Sequence, residues 1–249
     1  MTKLIVIPFD LISELQAADH VAVLTGAGMS AESSVPTFRD AQTGLWARYD
    51  PHELATPQAF SRDPGLVWDW YAWRRALISK AKPNAGHFAL ARMENFVSRI
   101  TLITQNVDGF HQAAGSSNVI ELHGNIMRSR CSTCQSIVDD FDESENSPPR
   151  CLHCHGFLRP NVVWFGENLP QQALARAFSA ARSCDIFLSV GTSSVVQPAA
   201  SLPVEALENG TTVVEINPQQ TPLTPYMTFV LEGPSGVILP QLIQATWLA

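Results

Sequence analysis

Four of the five cysteines in the chain form two close pairs. Each pair has the spacing Cys-x2-Cys, and 16 residues separate the first pair from the second. This spacing is typical of a tetrahedral zinc site, in which four thiolates leave no position for water. The pattern therefore predicts one structural Zn²⁺ per chain, bound by Cys131, Cys134, Cys151 and Cys154. Two other interpretations stay open: two disulfide bonds, or His153 or His155 in place of one cysteine.

A second group combines amide, carboxylate and imidazole side chains. Gln105, Asn106 and Asp108 follow the apolar run "RITLIT", and His123 lies at the end of the next run, "NVIELHG". Such groups could hold an amide, stabilise a developing cation and move a proton, because a neutral imidazole is a general base near neutral pH. Taken singly, Asn106 and Asp108 could instead cap a helix, and His123 could be a hydrogen-bonded histidine at a strand end.

The small residues of "GAGMSA" (residues 26–31) follow the apolar run "HVAVLT". Gly26, Gly28 and Ala31 fit a G-x-G-x-x-A loop, which lets the backbone approach a pyrophosphate. A tight strand-to-helix turn without a ligand has the same pattern. No acidic residue ends a strand about 20 residues further on, and Pro36 shortens the helix, so a hydride-transferring dehydrogenase is disfavoured.

Short apolar, β-branched runs alternate with helical patterns along the chain. The runs cover residues 20–28, 99–106, 118–124, 184–193 and 211–217. Helical patterns cover residues 83–97, 170–182 and 198–210. This alternation predicts an α/β fold with a doubly wound, Rossmann-like parallel sheet that binds its ligand at the carboxyl ends of the strands.

Two segments interrupt the alternation: an aromatic-rich helical segment (41–82) and the cysteine segment (126–159). We therefore expect one catalytic domain over residues 1–249, built from two lobes. The smaller lobe would combine the helical insertion with the zinc-ribbon module. The large Rossmann-like lobe would comprise about residues 1–40, 83–125 and 160–249.

Composition argues against several classes of function. The chain has a net charge of −7 and a pI near 5.4, and its 16 Lys and Arg residues are spread out, which disfavours nucleic-acid binding. The first residues lack the pattern of a signal peptide, and no apolar run approaches the roughly 20 residues that span a bilayer. We expect a cytoplasmic protein without a membrane partner, and a monomer is favoured.

These motifs resemble the successive signatures of the sirtuins, which are NAD-dependent protein-lysine deacylases. The resemblance is collinear over residues 20–217 and rests on "GAGMSAESSVPTFR", "TQNVDGFHQAAG", "ELHG", the two cysteine pairs, "VVWFGE", "VGTSSVVQPA" and "EIN". One position departs from the pattern. Ser34 stands where many sirtuins have glycine, so this loop is expected to be slightly less flexible without losing cofactor binding.

The resemblance implies that NAD is consumed as a co-substrate, with free lysine, nicotinamide and O-acyl-ADP-ribose as products. His123 would be the general base, acting with Asn106 and Asp108. The acylated lysine of a protein substrate would bind within an extended peptide along Val163, Trp164, Phe165, Gly166 and Glu167. The implied NAD-binding residues are Gly26, Ala27, Gly28, Ser30, Phe38, Arg39, Gln105, Asn106, Asp108, Gly191, Thr192, Ser193 and Asn217.

Three residues in the helical insertion suggest which acyl group is removed. Tyr71 and Arg74 are three residues apart, so they project from one helix face, where a phenol and a guanidinium could bind a carboxylate. Ala55 is small enough to leave room for the acyl chain. The set is similar to that of sirtuins that prefer succinyl and malonyl groups. Alternatively, the aromatic residues only pack the helix, and Arg74 and Arg75 are solvated.

Two other functions remain open from the sequence. A mono-ADP-ribosyltransferase of the same fold would share the cofactor loop and His123. The other is a non-enzymatic NAD-sensing or zinc-dependent binding module, which the combination of Asn106, Asp108 and His123 disfavours.

Overall fold

A computed structural model describes residues 6–35, 49–138 and 148–248. The described strands are β1 (His20–Thr25), β2 (Arg99–Thr104), β3 (Val119–Glu121), β4 (Gly124–Cys131), β5 (Ile137–Val138), β6 (Leu158–Val162), β7 (Ile186–Val190), β8 (Thr212–Asn217) and β9 (Phe229–Glu232). The described α-helices are α1 (Phe9–Ala17), α2 (Ala27–Ala31), α3 (Pro51–Leu54), α4 (Pro57–Arg62), α5 (Pro64–Ile78), α6 (Ala85–Met93), α7 (Phe110–Ala113), α8 (Gln171–Ser183), α9 (Leu202–Glu208) and α10 (Ser235–Trp247).

Six strands form one parallel sheet in the order β3-β2-β1-β7-β8-β9. The prediction of a doubly wound α/β sheet is confirmed. Alternate residues of β1 point to opposite faces. Val21 and Val23 pack in the core cluster that includes α1, α6 and α10, whereas Ala22 and Leu24 pack in the cluster that includes α8 and α9. Burial on both faces explains why β1 is a continuous apolar run.

Three strands form a second, antiparallel sheet in the order β5-β4-β6. Trp68 of α5 packs against this sheet in a cluster with Cys131, Cys151 and Leu158. The six-stranded sheet lies within the segments predicted for the large lobe, whereas β4 begins at Gly124 and β6 ends at Val162, outside the segment 126–159 predicted for the zinc module. The lobe boundaries themselves stay a prediction.

Helices α3, α4 and α5 all begin in the same way. Each has proline near its first position, and a side chain just before it accepts a hydrogen bond from the first turn: Asp50 from His52, Thr56 from Ala59 and Asp63 from Leu66. Such caps satisfy amide groups that have no partner inside the helix.

The structure differs from the sequence predictions at three places. The run 118–124 is not one strand, because β3 ends at Glu121 and β4 begins at Gly124 in the other sheet. The strand expected within "VVWFGE" ends at Val162. Helix α1, strand β9 and helix α10 were not predicted. Within the described ranges, no helix is long and apolar enough to cross a membrane.

Candidate active site and metal centre

A cleft of about 860 Å³ lies at the carboxyl ends of β1, β2, β7 and β8. The chain connects β1 and β7 to opposite halves of the sheet, so this is the point where the strand order reverses. The predicted catalytic, cofactor and substrate residues within the described ranges all line this cleft. Phe38 and Arg39 lie outside the described residues.

The turns that follow β1 and β7 touch each other at the floor of the cleft. Gly26 N–H donates to Val190 O (3.0 Å), and Gly28 N–H donates to Gly191 O (2.8 Å). A Cβ atom on Gly26 or on Gly28 would lie 2.8 Å from Gly191 O. The glycines of the predicted cofactor loop therefore permit close packing of two turns, as well as access for a ligand.

Gly191 provides a test of this packing. Its φ of +57° lies in the left-handed region, and an added Cβ would lie 2.4 Å from Met29 N. We expect Gly191→Ala to lower the free energy of unfolding by about 3 kcal/mol or more, from backbone strain and overpacking together. Gly210→Ala is the matched control, because Gly210 also has a positive φ (+77°) but an added Cβ there would meet no atom within 4 Å. This substitution should lower the free energy of unfolding by only about 1 to 2 kcal/mol, from backbone strain alone. If urea unfolding gave the same decrease in the free energy of unfolding for both variants, close packing around Gly191 would not explain its effect.

His123 is held in one tautomer by the backbone. Its Nδ1 lies 2.8 Å from Gln105 O, and a carbonyl oxygen only accepts, so Nδ1 carries the hydrogen. Nε2 of the neutral ring then keeps its lone pair. Burial lowers the pKa of His123 below its ordinary value, and the bond to Gln105 O opposes this only in part. The ring is therefore neutral at pH 7, as a general base requires.

Asn106, Asp108 and Ser30 form one hydrogen-bonded group. Asn106 Nδ2 donates to Gly26 O (2.9 Å) and to Ser30 Oγ (3.1 Å), and Ser30 Oγ donates to Asp108 Oδ2 (2.7 Å). Asp108 Oδ1 also accepts from Phe110 N (2.9 Å), but the N-cap position of α7 is Gly109 and has no side-chain cap, so neither Asn106 nor Asp108 is an N-cap residue. Burial raises the pKa of Asp108, although the bonds from Phe110 and Ser30 act in the opposite direction.

Thr192 connects the central part of the cleft to its far end. Gln105 Nε2 donates to Thr192 Oγ1 (3.1 Å), and Asn217 Nδ2 donates to Thr192 O (3.3 Å). The sequence analysis missed several lining residues, which lie mostly in the loops after β7 and β8. These loops could have been identified from the predicted sheet, because ligands of such folds bind where the strand order reverses. The missed residues include His52, Val195, Val196, Gln197, Gln219 and Gln220.

Ala55, Tyr71 and Arg74 line the same cleft as His123. Arg74 is the one arginine or lysine among the described lining residues. Burial lowers the pKa of its guanidinium, and the nearby Tyr71 phenol opposes this change. The packing interpretation holds for Trp70, which is fully buried, but Tyr71 and Arg74 also face the cleft.

Residues 163–167 form a turn whose amides are largely used within the protein. Val163 N–H donates to His123 O (2.9 Å), Phe165 N–H to Ala55 O (2.9 Å) and Glu167 N–H to Trp164 O (3.0 Å). Trp164 N–H donates to the Glu167 carboxylate (2.8 Å). The segment therefore does not present the free row of amides that the strand prediction implied.

The four predicted zinc ligands lie together. Their sulfur atoms are all within 4.8 Å of one another, with Cys131 and Cys154 at 3.3 Å and Cys134 and Cys151 at 3.8 Å. A tetrahedral zinc with Zn–S bonds of about 2.3 Å places its sulfurs about 3.8 Å apart, so the cluster fits this ion. These distances exclude disulfide bonds, which need about 2.05 Å. The described cluster contains no histidine.

The fold and cleft define an α/β enzyme of the nucleotide-binding type with a four-cysteine metal module. Residues 26–198 match the Sir2 family. The chain is 49% identical to NAD-dependent protein deacylase 1 of Pseudomonas aeruginosa, over 94% of this chain and 97% of the relative. It is 54% identical to an NAD-dependent protein deacylase of Aquifex aeolicus, over 82% of this chain and 86% of the relative. The chain therefore belongs to the Sir2 family.

A solved structure agrees with this assignment. The crystal structure of a Sir2 homologue in complex with NAD superposes with a TM-score of 0.88 at 45% identity, over 95% of this chain and 93% of the other. The predicted sirtuin fold is confirmed.

Proposed function

We propose that this chain is an NAD-dependent protein-lysine deacylase that accepts acyl groups ending in a carboxylate, such as succinyl and malonyl, as well as acetyl. One observation carries the acyl preference: the single described cation of the cleft wall, Arg74, lies beside the phenol of Tyr71 in the cleft that also contains His123. A guanidinium binds a carboxylate through two parallel hydrogen bonds, which gives geometric specificity. The small side chain of Ala55 leaves space for the acyl chain.

The residues proposed to hold NAD fit a dinucleotide. Glycines at the strand-order reversal keep the floor free of side chains. The amide groups of Gln105 and Asn217 each donate one N–H to Thr192, and each amide has a second N–H that a ligand could accept. Bound NAD would supply an electrophilic ribose carbon with nicotinamide as its leaving group. The proposed residues are Gly26, Ala27, Gly28, Ser30, Gln105, Asn106, Asp108, Gly191, Thr192, Ser193 and Asn217, with Phe38 and Arg39 still predicted from the sequence.

His123 Nε2 is the atom proposed to take up a proton in this cleft. The bond from Nδ1 to Gln105 O keeps the lone pair on Nε2 and stabilises the imidazolium that forms. Ser30 keeps Asn106 and Asp108 in fixed positions beside Gly26. These residues thus present preorganised dipoles where a cation develops.

We propose that the substrate peptide binds in an extended form beside residues 163–167. Since the amides of residues 163, 164, 165 and 167 are used internally, the peptide would pair with carbonyl groups of this segment. Phe165 is 46% exposed and packs on His52, with ring centroids 4.7 Å apart, so it offers an apolar surface at the mouth of the cleft. The monomeric state and the cytoplasmic location stay predictions.

Arg74→Met tests the acyl preference. We expect it to lower kcat/KM for a succinyl-lysine peptide by a factor equivalent to about 2 to 5 kcal/mol, since the acyl carboxylate loses its charged partner. The loss with the matched acetyl-lysine peptide should be much smaller. The measurement is NAD-dependent turnover of both peptides, with O-acyl-ADP-ribose identified by mass spectrometry.

Arg62→Met is the control, because Arg62 is an exposed arginine on α4 that does not line the cleft. Equal losses on both peptides for Arg74→Met would contradict the pocket and keep the deacylase. ADP-ribose attached to protein, without O-acyl-ADP-ribose, would favour the transferase.

A further inference from the structure

Trp164 connects the segment beside the substrate to the acyl pocket. Its side chain is buried, and its indole Nε1–H donates to the Tyr71 hydroxyl oxygen at 3.0 Å. An indole N–H only donates, so the Tyr71 oxygen is the acceptor in this bond. The Tyr71 hydroxyl hydrogen must therefore point elsewhere, and Tyr71 lines the cleft.

Trp164 is itself held on two sides. The Arg159 guanidinium lies over the indole, with Cζ 3.2 Å from the ring centroid. Arg159 also forms a two-pronged ion pair with Glu167, at 2.6 and 2.9 Å. Glu167 in turn accepts from the Trp164 backbone N–H at 2.8 Å. The indole therefore has little freedom to rotate away from Tyr71.

The ion pair on Trp164 is anchored in the second sheet. Arg159 lies on β6 and pairs across the ladder with Arg130 of β4, which contacts the same Glu167 carboxylate at 3.3 Å. Burial would raise the pKa of Glu167, but Arg159, the Trp164 N–H and Arg130 hold it below its ordinary value. Glu167 is thus turned toward the two arginines, and its side chain serves to position its neighbours.

We propose that Trp164 is a positioning residue for acyl selectivity: it fixes the Tyr71 hydroxyl so that its hydrogen is presented to the acyl carboxylate beside Arg74. This inference rests on the proposed carboxylate-binding pocket. Without the bond from Trp164, the Tyr71 hydroxyl could rotate and donate its hydrogen to other groups or to water. Because the indole N–H occupies one lone pair of the Tyr71 oxygen, it restricts this rotation, and it also polarises the hydroxyl so that its O–H is a stronger donor. The sequence analysis assigned Trp164 only to peptide binding.

A double-mutant cycle tests the role of Trp164. Trp164→Phe removes the indole donor and keeps an aromatic ring, and Tyr71→Phe removes the acceptor. The measured quantity is the ratio of kcat/KM for succinyl-lysine to that for acetyl-lysine in one peptide. We expect each single substitution to lower this ratio by about tenfold, the scale of one hydrogen bond. The double variant should lower it no further than Tyr71→Phe alone, because Trp164 acts through Tyr71.

Trp68→Phe is the matched control. Trp68 is a buried tryptophan on the same helix as Tyr71, but it packs against Cys131 and Cys151. Its substitution should leave the selectivity ratio within about twofold of the parent, because Trp68 packs in the cluster of the metal-binding cysteines, whereas Tyr71 packs in the cluster that contains Trp164. A tenfold drop with Trp68→Phe would show that general loosening of α5 causes the effect and would overturn the proposal.

A second measurement reads the hydrogen bond without any substrate. In protein labelled with ¹⁵N-tryptophan, the indole signal absent from Trp164→Phe is that of Trp164. This signal should shift in Tyr71→Phe, and an unmoved signal would overturn the proposal. If Trp164→Phe and Tyr71→Phe had additive effects on the ratio, Trp164 would not act through Tyr71. That result would overturn the positioning role of Trp164 and leave the acyl preference standing. A parent enzyme without succinyl turnover would instead overturn the acyl preference, and with it the selectivity role.

Discussion

Replacing His123 by alanine is expected to lower kcat for deacylation by about 10²-fold to 10⁴-fold, the range that one general base contributes. The expectation rests on geometry: Nδ1 is committed to Gln105 O, so Nε2 is the basic atom available in the cleft. Within the part of the chain that the structure describes, the His123 side chain forms no helix cap and no ion pair, so the variant should fold. The measurement is single-turnover deacylation of an acetyl-lysine peptide at saturating NAD.

The control for His123→Ala is the binding of NAD. We expect the NAD dissociation constant, measured by calorimetry, to change by no more than about threefold, equivalent to about 0.7 kcal/mol. A variant that no longer binds NAD would indicate a structural role for His123. A variant that retains the parent kcat would contradict the assignment of the base.

The pH dependence of the parent enzyme follows from the same residue. Burial lowers the pKa of His123 below its model-peptide value of about 6.5, and only the neutral imidazole accepts a proton. Activity should therefore be higher at pH 7 than an unperturbed histidine would allow, and it should fall as the pH drops through the lowered pKa. The acidic limb of the kcat/KM profile, which reports the free enzyme, is expected to have its midpoint below about pH 6.5, and a midpoint above this value would contradict a desolvated base.

The sheet could be predicted because its strands are buried on both faces. Strands β1, β2, β7 and β8 are continuous apolar runs, and such runs are typical of parallel strands between two helical layers. β9 lies at the edge of the sheet, and only Leu231 of its residues is buried, so its pattern is weak. The run at 118–124 was predicted to be one strand because it is one apolar stretch, but its residues belong to strands of two different sheets.

The site was predictable where its residues follow strand ends. Gly26, Gln105 and Gly191 each follow a strand of the large sheet, and parallel topology brings these strand ends to one edge. Contacts between distant segments were not predictable in this way. Trp164 and Tyr71 are 93 residues apart, and nothing local in "VVWFGE" indicates that its indole reaches α5.

Ser34 shows how a departure from a family pattern becomes interpretable in the structure. Its φ is +60°, in the left-handed region where glycine is unstrained and other residues are uncommon. A glycine, which many sirtuins have at this position, would adopt this φ without strain. The serine takes the same conformation at an energetic cost, so the expected change is local strain in the loop.

Removal of the metal is expected to abolish deacylation although no metal takes part in the chemistry. Cys131 ends β4, and Cys131 and Cys151 are buried with Trp68 against α5. Without the ion, the cysteines would take up protons, and the link between the two cysteine pairs would be lost. Structural zinc contributes about 10 to 16 kcal/mol in small zinc peptides, so the second sheet should lose its order when the ion leaves.

The loss of order in the second sheet would extend to the cleft through β6. This strand pairs with β4, carries Arg159, and leads directly into residues 163–167, which contact His123 and Ala55. We therefore expect Cys151→Ser or a strong chelator to lower the unfolding temperature and the deacylase activity together, with release of one Zn²⁺ per chain measured by a chromogenic indicator.

Cys184→Ala separates a general thiol effect from the metal effect. Cys184 is buried beside α8, outside the metal cluster, and burial raises the pKa of its thiol to about 11. Its substitution should leave the zinc content at one ion per chain. Cobalt added back to chelated protein should restore stability and activity in parallel, because Co²⁺ accepts the same thiolate ligands. Loss of activity on chelation with an unchanged unfolding temperature would instead indicate a catalytic metal, which four thiolate ligands disfavour because they leave no open coordination position.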